Sequence, residues 1–566
     1  MATRKKYFRI LMAFTIITAG VSACHTDTAP MPSKTIDEYL AEEGLVRTKL
    51  GEKLENPYSL VAMEAALDSM KSSLESFAPN GRQARIAEQI EISTTDLYVR
   101  FLPRDSVQRD AMMDDTTMVY YDHPLDYEIE QEGDVYVDST WTEQAQPWLY
   151  SVVKPDHPFP DTVIHELLSE LFIPENHPDF VEPDTTSTGG REATTFGELL
   201  MRMETMSLAM TDNLPEEEKQ QVEQLSQQGR TNWFWNRWFP PKWYPDGYVR
   251  VRERSANQTK GWLPVVGVRV RTRRWFKIRT DYTDARGYYR TGSFRRPTNY
   301  SVVFKTHCVK ITNWLGWAGR HNGPKRKGRW DVYYDWHSAN WVKATLVNAA
   351  YLYDIQRKRT GIRNPFPEGF WAWAGHRMNI RAVFKRDIGD WSFFRINRIR
   401  IYTKFKDGRG DRETDDLYAL TFHELGHQSH YKLNRWNMLR SSRILKESWA
   451  NFIEFYFTRD YYYHNPKVNL NSPTSIPNYD DETIRKSEKS AYTQLFVDLM
   501  DSHNQLDVRP GTNRANDKVR GYTFGQIQQA VRRSQQLHHV RDYLKSNYNN
   551  PTQHHLDELF EFYLQF

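Results

Sequence analysis

Apolar and polar residues alternate along this chain in two rhythms, and the change from one to the other marks where helices and strands belong. Over residues 36–77 the spacing is helical. Ile36, Tyr39, Leu40 and Leu45 form one stripe and Leu60, Met63, Ala66 and Met70 another, with Pro57 suited to a first turn. Leu97 to Leu102 alternates like a strand, and acidic segments punctuated by proline, such as Asp122-His123-Pro124-Leu125, follow it. A helical pattern returns from Phe196 to Met210. The Glu- and Gln-rich run Glu216 to Arg230 reads as an exposed helix or a linker. Residues 36–230 therefore form an α+β region without a chemical signature of its own.

The rhythm then becomes β-like. Val265-Val266-Gly267-Val268-Arg269-Val270 alternates in part, Thr283-Asp284-Ala285-Arg286-Gly287-Tyr288-Tyr289 reads as a turn entering a strand, and Tyr300 to Phe304 is a further β-rich run. These segments resemble the carboxypeptidase-regulatory-like module, a small transthyretin-like β-sandwich in which a G-V-x-V strand precedes a T-D-x-x-G-x-Y hairpin. The resemblance implies an accessory unit, assigned to residues 231–310. Just before these β segments lies an aromatic cluster of Trp233, Phe234, Trp235, Trp238, Phe239, Trp243 and Tyr244, suited to packing at a domain junction or to stacking on sugars. Cys308, just after the last of these β segments, reads as a buried thiol.

Helical spacing resumes over 336–358, where Trp341, Leu346, Ala349, Ala350 and Leu352 are apolar and Gly361 supplies a stop. Ile399, Ile401, Thr403 and Phe405 alternate like a strand, which leads through Asp407-Gly408-Arg409-Gly410 into a helix beginning near Thr414 or Asp415. From Ala491 onward the chain reads as mainly helical.

The helix from Thr414 carries Thr421-Phe422-His423-Glu424-Leu425-Gly426-His427. Residues four apart share one helical face, so His423 and His427 can offer two imidazoles to one metal ion. Glu424 projects beside them, where a carboxylate can take a proton from a metal-activated water. His430 and Leu433 stand where a metzincin needs Gly and His, which excludes that subclass. Glu447 lies 24 residues beyond His423. That separation, with Glu447-Ser448-Trp449-Ala450-Asn451-Phe452-Ile453-Glu454, resembles the second helix of gluzincin metallopeptidases of the thermolysin and aminopeptidase-N type. Lys446 and Ser448 replace the Asn and Gly of the aminopeptidase pattern, and the G-x-M-E-N segment that holds a free amino terminus is absent.

The resemblance implies a mainly α zincin-like domain over residues 311–566, with Zn2+ held by His423, His427 and Glu447 and Glu424 as general base. It also implies a peptide or protein substrate. Asn451 or Glu454, on the face of Glu447, would orient a ligating imidazole. The oxyanion partner stays open among Tyr461, Tyr462, Tyr463, His464, Tyr479, Tyr492 and His503. His430 reads as a helix-surface residue, and His538-His539 and His554-His555 as exposed pairs.

Length and charge adjust this picture. The chain has 566 residues, enough for roughly three or four domains. Its net charge of +4 is small for this length and makes no strong case for a nucleic-acid partner. The charge is unevenly spread, acidic from about Asp96 to Glu218 and basic from Arg237 to Arg329. The basic stretch reads as a solvated face with amphipathic packing. Two cysteines, Cys24 and Cys308, exclude a disulfide framework and a thiolate metal site.

At the N-terminus, Arg4, Lys5, Lys6 and Arg9 precede an apolar run that is too short to span a bilayer. It ends in Val21-Ser22-Ala23-Cys24, which resembles the lipobox of bacterial lipoproteins. This resemblance implies a signal peptide over 1–23, lipidation of Cys24, a tether over 24–35 and a membrane-anchored protein of the bacterial cell envelope. The expectation is a multidomain α+β chain in which a small sandwich precedes a metallopeptidase domain. A non-catalytic binding or scaffold lipoprotein that keeps a zincin fold is the alternative.

Overall fold

The computed structural model describes residues 36–42, 45–77, 81–115, 117–138, 146–159, 162–182, 196–228, 240–255, 258–313, 316–369, 377–386, 398–405, 408, 410–464, 492–504, 506 and 515–564. The signal segment, Cys24, the tether, the aromatic residues from Trp233 to Phe239 and Tyr479 lie outside them. The chain is a mixture of α and β with several separate sheets. Among the described residues no helix is long and apolar enough to cross a membrane.

The stretch 36–77 is not helical throughout. Helices Ile36–Glu42 and α1 (Leu60–Phe77) flank a strand, Lys49–Lys53, that pairs antiparallel with Tyr127–Gln131. The two apolar stripes mark the two helices; the polar segment between them lacks helical spacing, and a partner strand claims its backbone. Next come β1 (Asp96–Leu102), β2 (Leu149–Val153) and β3 (Ile164–Leu171), an antiparallel sheet in the order β2-β1-β3, and then α2 (Phe196–Met210). Met63 and Met70 of α1, Tyr98 of β1 and Leu200 and Met203 of α2 share one buried cluster. The expected exposed helix is present as Glu216–Gln228.

Two four-stranded sheets follow. β4 (Asp246–Ser255) and β5 (Gln258–Pro264) belong to the first, β6 (Arg269–Arg274) and β7 (Lys277–Tyr282) to the second. β8 (Tyr288–Arg290) adds to β4, and β9 (Thr298–Val303) adds to β6. β10 (Val309–Thr312) leaves for a third sheet, while β11 (Arg320–Arg326) pairs with β9 and β12 (Val332–Tyr334) runs parallel to β4. The strand pairing thus runs past residue 310 to Tyr334. Along β4 every second side chain is buried, the period expected of a half-buried strand.

Ser338 caps α3 (Ala339–Thr360), its side chain accepting from Trp341 N at 3.0 Å, and Gly361 ends the helix at φ 74°, a left-handed conformation that suits glycine. β13 (Met378–Arg386) and β14 (Arg398–Lys404) then join β10 in an all-parallel sheet. The chain bends back into α4 (Thr414–Leu433) and α5 (Arg443–His464). α6 (Leu495–Asp498), α7 (Phe524–Arg533), α8 (Leu537–Asn547) and α9 (Leu556–Leu564) complete it. One continuous buried cluster joins Val249 and Tyr300 of the sheets to Trp341 of α3, Phe422 of α4, Trp449 of α5 and Tyr563 of α9.

The uneven charge of the sequence is resolved inside the molecule. Arg271, Arg273 and Arg320 are not solvated but buried, and they face the acidic N-terminal region. The Arg271 guanidinium donates to the Tyr120 carbonyl and that of Arg273 to the Leu125 carbonyl, both at 3.0 Å, and Arg320 pairs with Asp122. Lys277 sits 2.6 Å from Glu204 and 3.3 Å from Glu175. Beside it, Phe276 inserts into the cluster between α1, β1 and α2, with its ring centroid 4.8 Å from that of Tyr98. The basic strands are the docking face of the acidic region.

Candidate metal centre

The site begins at the start of α4. Glu413 and Asp416 form a reciprocal capping box, and Asp415 and Asp416 lie in the first turn, where the helix dipole favours negative charge. Leu417, Phe422 and Leu425 are fully buried. This fixes the rotation of α4, so that His423 and His427 face α5, which packs against it closely. A Cβ on Gly426 would meet Ala450 Cα at 3.2 Å and Ile453 Cβ at 3.3 Å, tighter than ordinary contact. The bare glycine therefore lets the helices approach, and Trp449 Nε1 donates to the Gly426 carbonyl at 3.2 Å across the contact.

That approach brings Glu447 to the histidines. Its Oε2 lies 3.3 Å from His423 Nε2 and 3.3 Å from His427 Nε2. One ligand atom from each of the three residues falls within 4.8 Å of the others, a group able to hold a metal ion. The donors fit such an ion chemically: two imidazole nitrogens and one carboxylate oxygen, all largely withdrawn from water. The local field also favours positive charge. Burial works against protonation of His423, yet the hydrogen bonds its ring donates to Glu447 and Glu454 raise its pKa to about 10. Burial likewise works against ionisation of Glu447, but the two imidazoles hold its carboxyl well below the usual range.

Glu454 accepts from the outer nitrogen of His423, with Oε2 2.9 Å from Nδ1, and so fixes the ring with its Nε2 inward. Asn451 does something else. Its Nδ2 donates to the Thr493 carbonyl at 3.0 Å, and the Ser448 hydroxyl lies 2.7 Å from that of Thr493. Two side chains of α5 thus pin the residue next to Tyr492. The Tyr492 ring centroid is 5.8 Å from that of His423. Burial, then the charge of Glu447, pushes the Tyr492 hydroxyl up to about 12, so it stays a proton donor at neutral pH. Glu424 is 2 % exposed on α4, between the two histidines.

Of the other residues considered for the oxyanion, Tyr462 is buried against Glu253 and Ser255, and Tyr461 packs on Tyr418. The side chains of Tyr463 and His464 lie outside the described residues. His430 is not a surface residue: it is 1 % exposed beside Trp449, and burial drives its pKa down to about 3. Its ring follows the α5-facing side of α4, which the close helix packing covers. His538, His539 and His554 are exposed, and His555 is half-exposed.

The sequence alone could not select Tyr492 or reveal the Asn451 contact, since 42 residues separate Asn451 from Thr493. Compared with known proteins, the chain matches no family model, no curated protein and no solved structure.

Proposed function

We propose that this chain is a zinc-dependent peptide hydrolase of gluzincin type, anchored by lipid at Cys24 to the bacterial cell envelope. The observation that carries the reading is the convergence of His423, His427 and Glu447 from two helices, with Glu424 beside them. Were zinc held by these three residues, they would supply the three protein ligands usual for catalytic rather than structural zinc. The mainly helical surroundings of α4 and α5 suit a zincin-like domain, and the paired sheets before it suit a transthyretin-like module.

Zinc held there would polarise a substrate carbonyl and bring the pKa of a coordinated water to about 7. Glu424 takes the proton from the attacking water and delivers it to the leaving amine. The Tyr492 hydroxyl donates to the oxygen that becomes negative as the carbonyl carbon turns tetrahedral. Glu454 keeps His423 in one tautomer and one orientation. Asn451 and Ser448 hold the backbone beside Tyr492 in place. The anchored location rests on the sequence ending at Cys24.

The test is metal analysis of the purified protein together with digestion of an unbiased peptide library. One zinc per chain, and cleavage that stops with chelator and returns with added zinc, supports the reading. A protein without stoichiometric zinc or without cleavage overturns it.

A further inference from the structure

A second concave site lies where three helices end. The C-terminal turns of α3, α4 and α7 enclose a cavity of about 630 Å3. Arg357, Lys358, Arg363, Lys432 and Arg532 line it, with Glu368 the sole carboxylate among the described residues of its wall. Asp354 offsets part of the charge from beneath, 2.5 Å from both Arg357 and Lys358, and Arg363 lies 2.8 Å from Glu368. Lys432 feels the charge of Glu368, but among the described residues neither it nor Arg532 makes a contact ion pair, and Glu368 pairs instead with Arg363.

Cations often gather at helix C-termini simply to offset the dipole, whose negative end carries about half a charge. Here uncharged groups already do much of that. Gln528 Nε2 donates to the Gly361 carbonyl at 3.1 Å, the Asn434 amide N donates to the His430 carbonyl at 3.4 Å, and Asn437 Nδ2 donates to the Arg532 carbonyl at 3.0 Å. The three dipoles together amount to roughly −1.5 charges, against five cations and two carboxylates. A positive excess remains, concentrated on Lys432 and Arg532 across a concave, amide-lined wall.

We propose that this cavity binds a phosphoryl-bearing anion, with Lys432 and Arg532 as its principal ligands. Arginine offers a planar fork and lysine a compact point charge, both suited to phosphate oxygens. Gln528 and Gln529 add amide donors. The volume exceeds that of a lone diphosphate, so the phosphoryl group would arrive on a larger molecule. The site is separate from the metal centre. Lys432 lies five residues beyond His427 on α4, which at 3.6 residues per turn places it about 140° around the helix.

The test is calorimetric titration of the full chain at low salt with inorganic pyrophosphate, glycerol 3-phosphate and citrate. The parent, Lys432→Ala/Arg532→Ala, Lys432→Glu and His427→Ala are compared, with circular dichroism verifying that each is folded. The expected result is saturable pyrophosphate binding that weakens at least tenfold in the double variant and in Lys432→Glu but persists in His427→Ala. Tighter binding of pyrophosphate identifies a diphosphate as the source, and tighter binding of glycerol 3-phosphate a lipid-type monoester. Absence of saturable binding to the parent overturns the proposal. So does binding lost in His427→Ala alone, which would be chelation at the metal centre, or citrate binding as tightly as either phosphate. None of these readouts depends on peptidase activity, so this site and the proposed hydrolase stand or fall separately.

Discussion

The Asn451 side chain donates to the carbonyl of Thr493 at 3.0 Å, and this ties the neighbour of Tyr492 to the helix that carries Glu447. A candidate metal ligand and a candidate oxyanion donor thereby share one rigid support. Removing the Tyr492 hydroxyl should lower kcat by about 10²-fold, the usual cost of losing one such donor, with zinc content unchanged. Asn451→Ala should lower kcat in the same direction but less, because the Ser448 contact to Thr493 remains. Steady-state kinetics beside metal analysis checks both; loss of zinc in Tyr492→Phe would assign that residue to the metal site instead.

Glu454 holds the outer nitrogen of His423 at 2.9 Å without touching the metal position. Glu454→Ala should weaken zinc binding by about 10–100-fold, and Glu454→Gln, which retains an oxygen acceptor, should recover part of that loss. Competition with a chromophoric chelator measures it. Equal affinity in all three proteins would show that the ring needs no such support.

Glu253 links β4 to α5 through Tyr462 and lies buried near Asp415, Glu413 and Tyr418, with Ser255 also bonded to it. Burial, reinforced by Asp415, pushes its carboxyl up to about 8. A folded-state pKa above the unfolded value means the folded chain binds the extra proton. This contribution is complete below about pH 4.5 and is lost as pH rises through 8. Glu253→Gln should remove that slope, so its Tm relative to the parent should climb from pH 5 to pH 8. A pH-independent difference would contradict the assignment.

Asp122 and Arg320 form a buried pair between the N-terminal region and β11, with 8 % and 6 % of their side chains exposed. Burial raises the Asp122 carboxyl, but Arg320 outweighs it and holds the group well below the usual range. Its stabilisation is therefore present above the unfolded carboxylate range and lost in strong acid. Asp122→Asn strands the Arg320 charge and should destabilise the chain by about 3–5 kcal/mol in denaturant unfolding.

The metal-capable group was legible because its spacing is local: His423 and His427 are one turn apart, and Glu447 lies about one turn into the next long helix. The end of α3 was legible because Gly361 marks it, whereas its start was read at residue 336 and the Ser338 cap places it at Ala339. What escaped depends on contacts far apart in sequence. The strand Lys49–Lys53 exists because Tyr127–Gln131 claims its backbone, and Arg271 is buried because an acidic region covers it. Tyr492 was one candidate among seven until folding brought it beside His423. His430 carries no sequence mark of burial, since only the tight contact allowed by Gly426 hides it.

Glu424 bears most directly on whether this centre performs hydrolysis. Glu424→Gln keeps the shape of the side chain and removes its basicity. The parent and this variant should both bind one zinc per chain, while cleavage of a peptide found by library digestion should fall by at least about 10²-fold in the variant. Equal cleavage by the two proteins at equal zinc content would contradict the account.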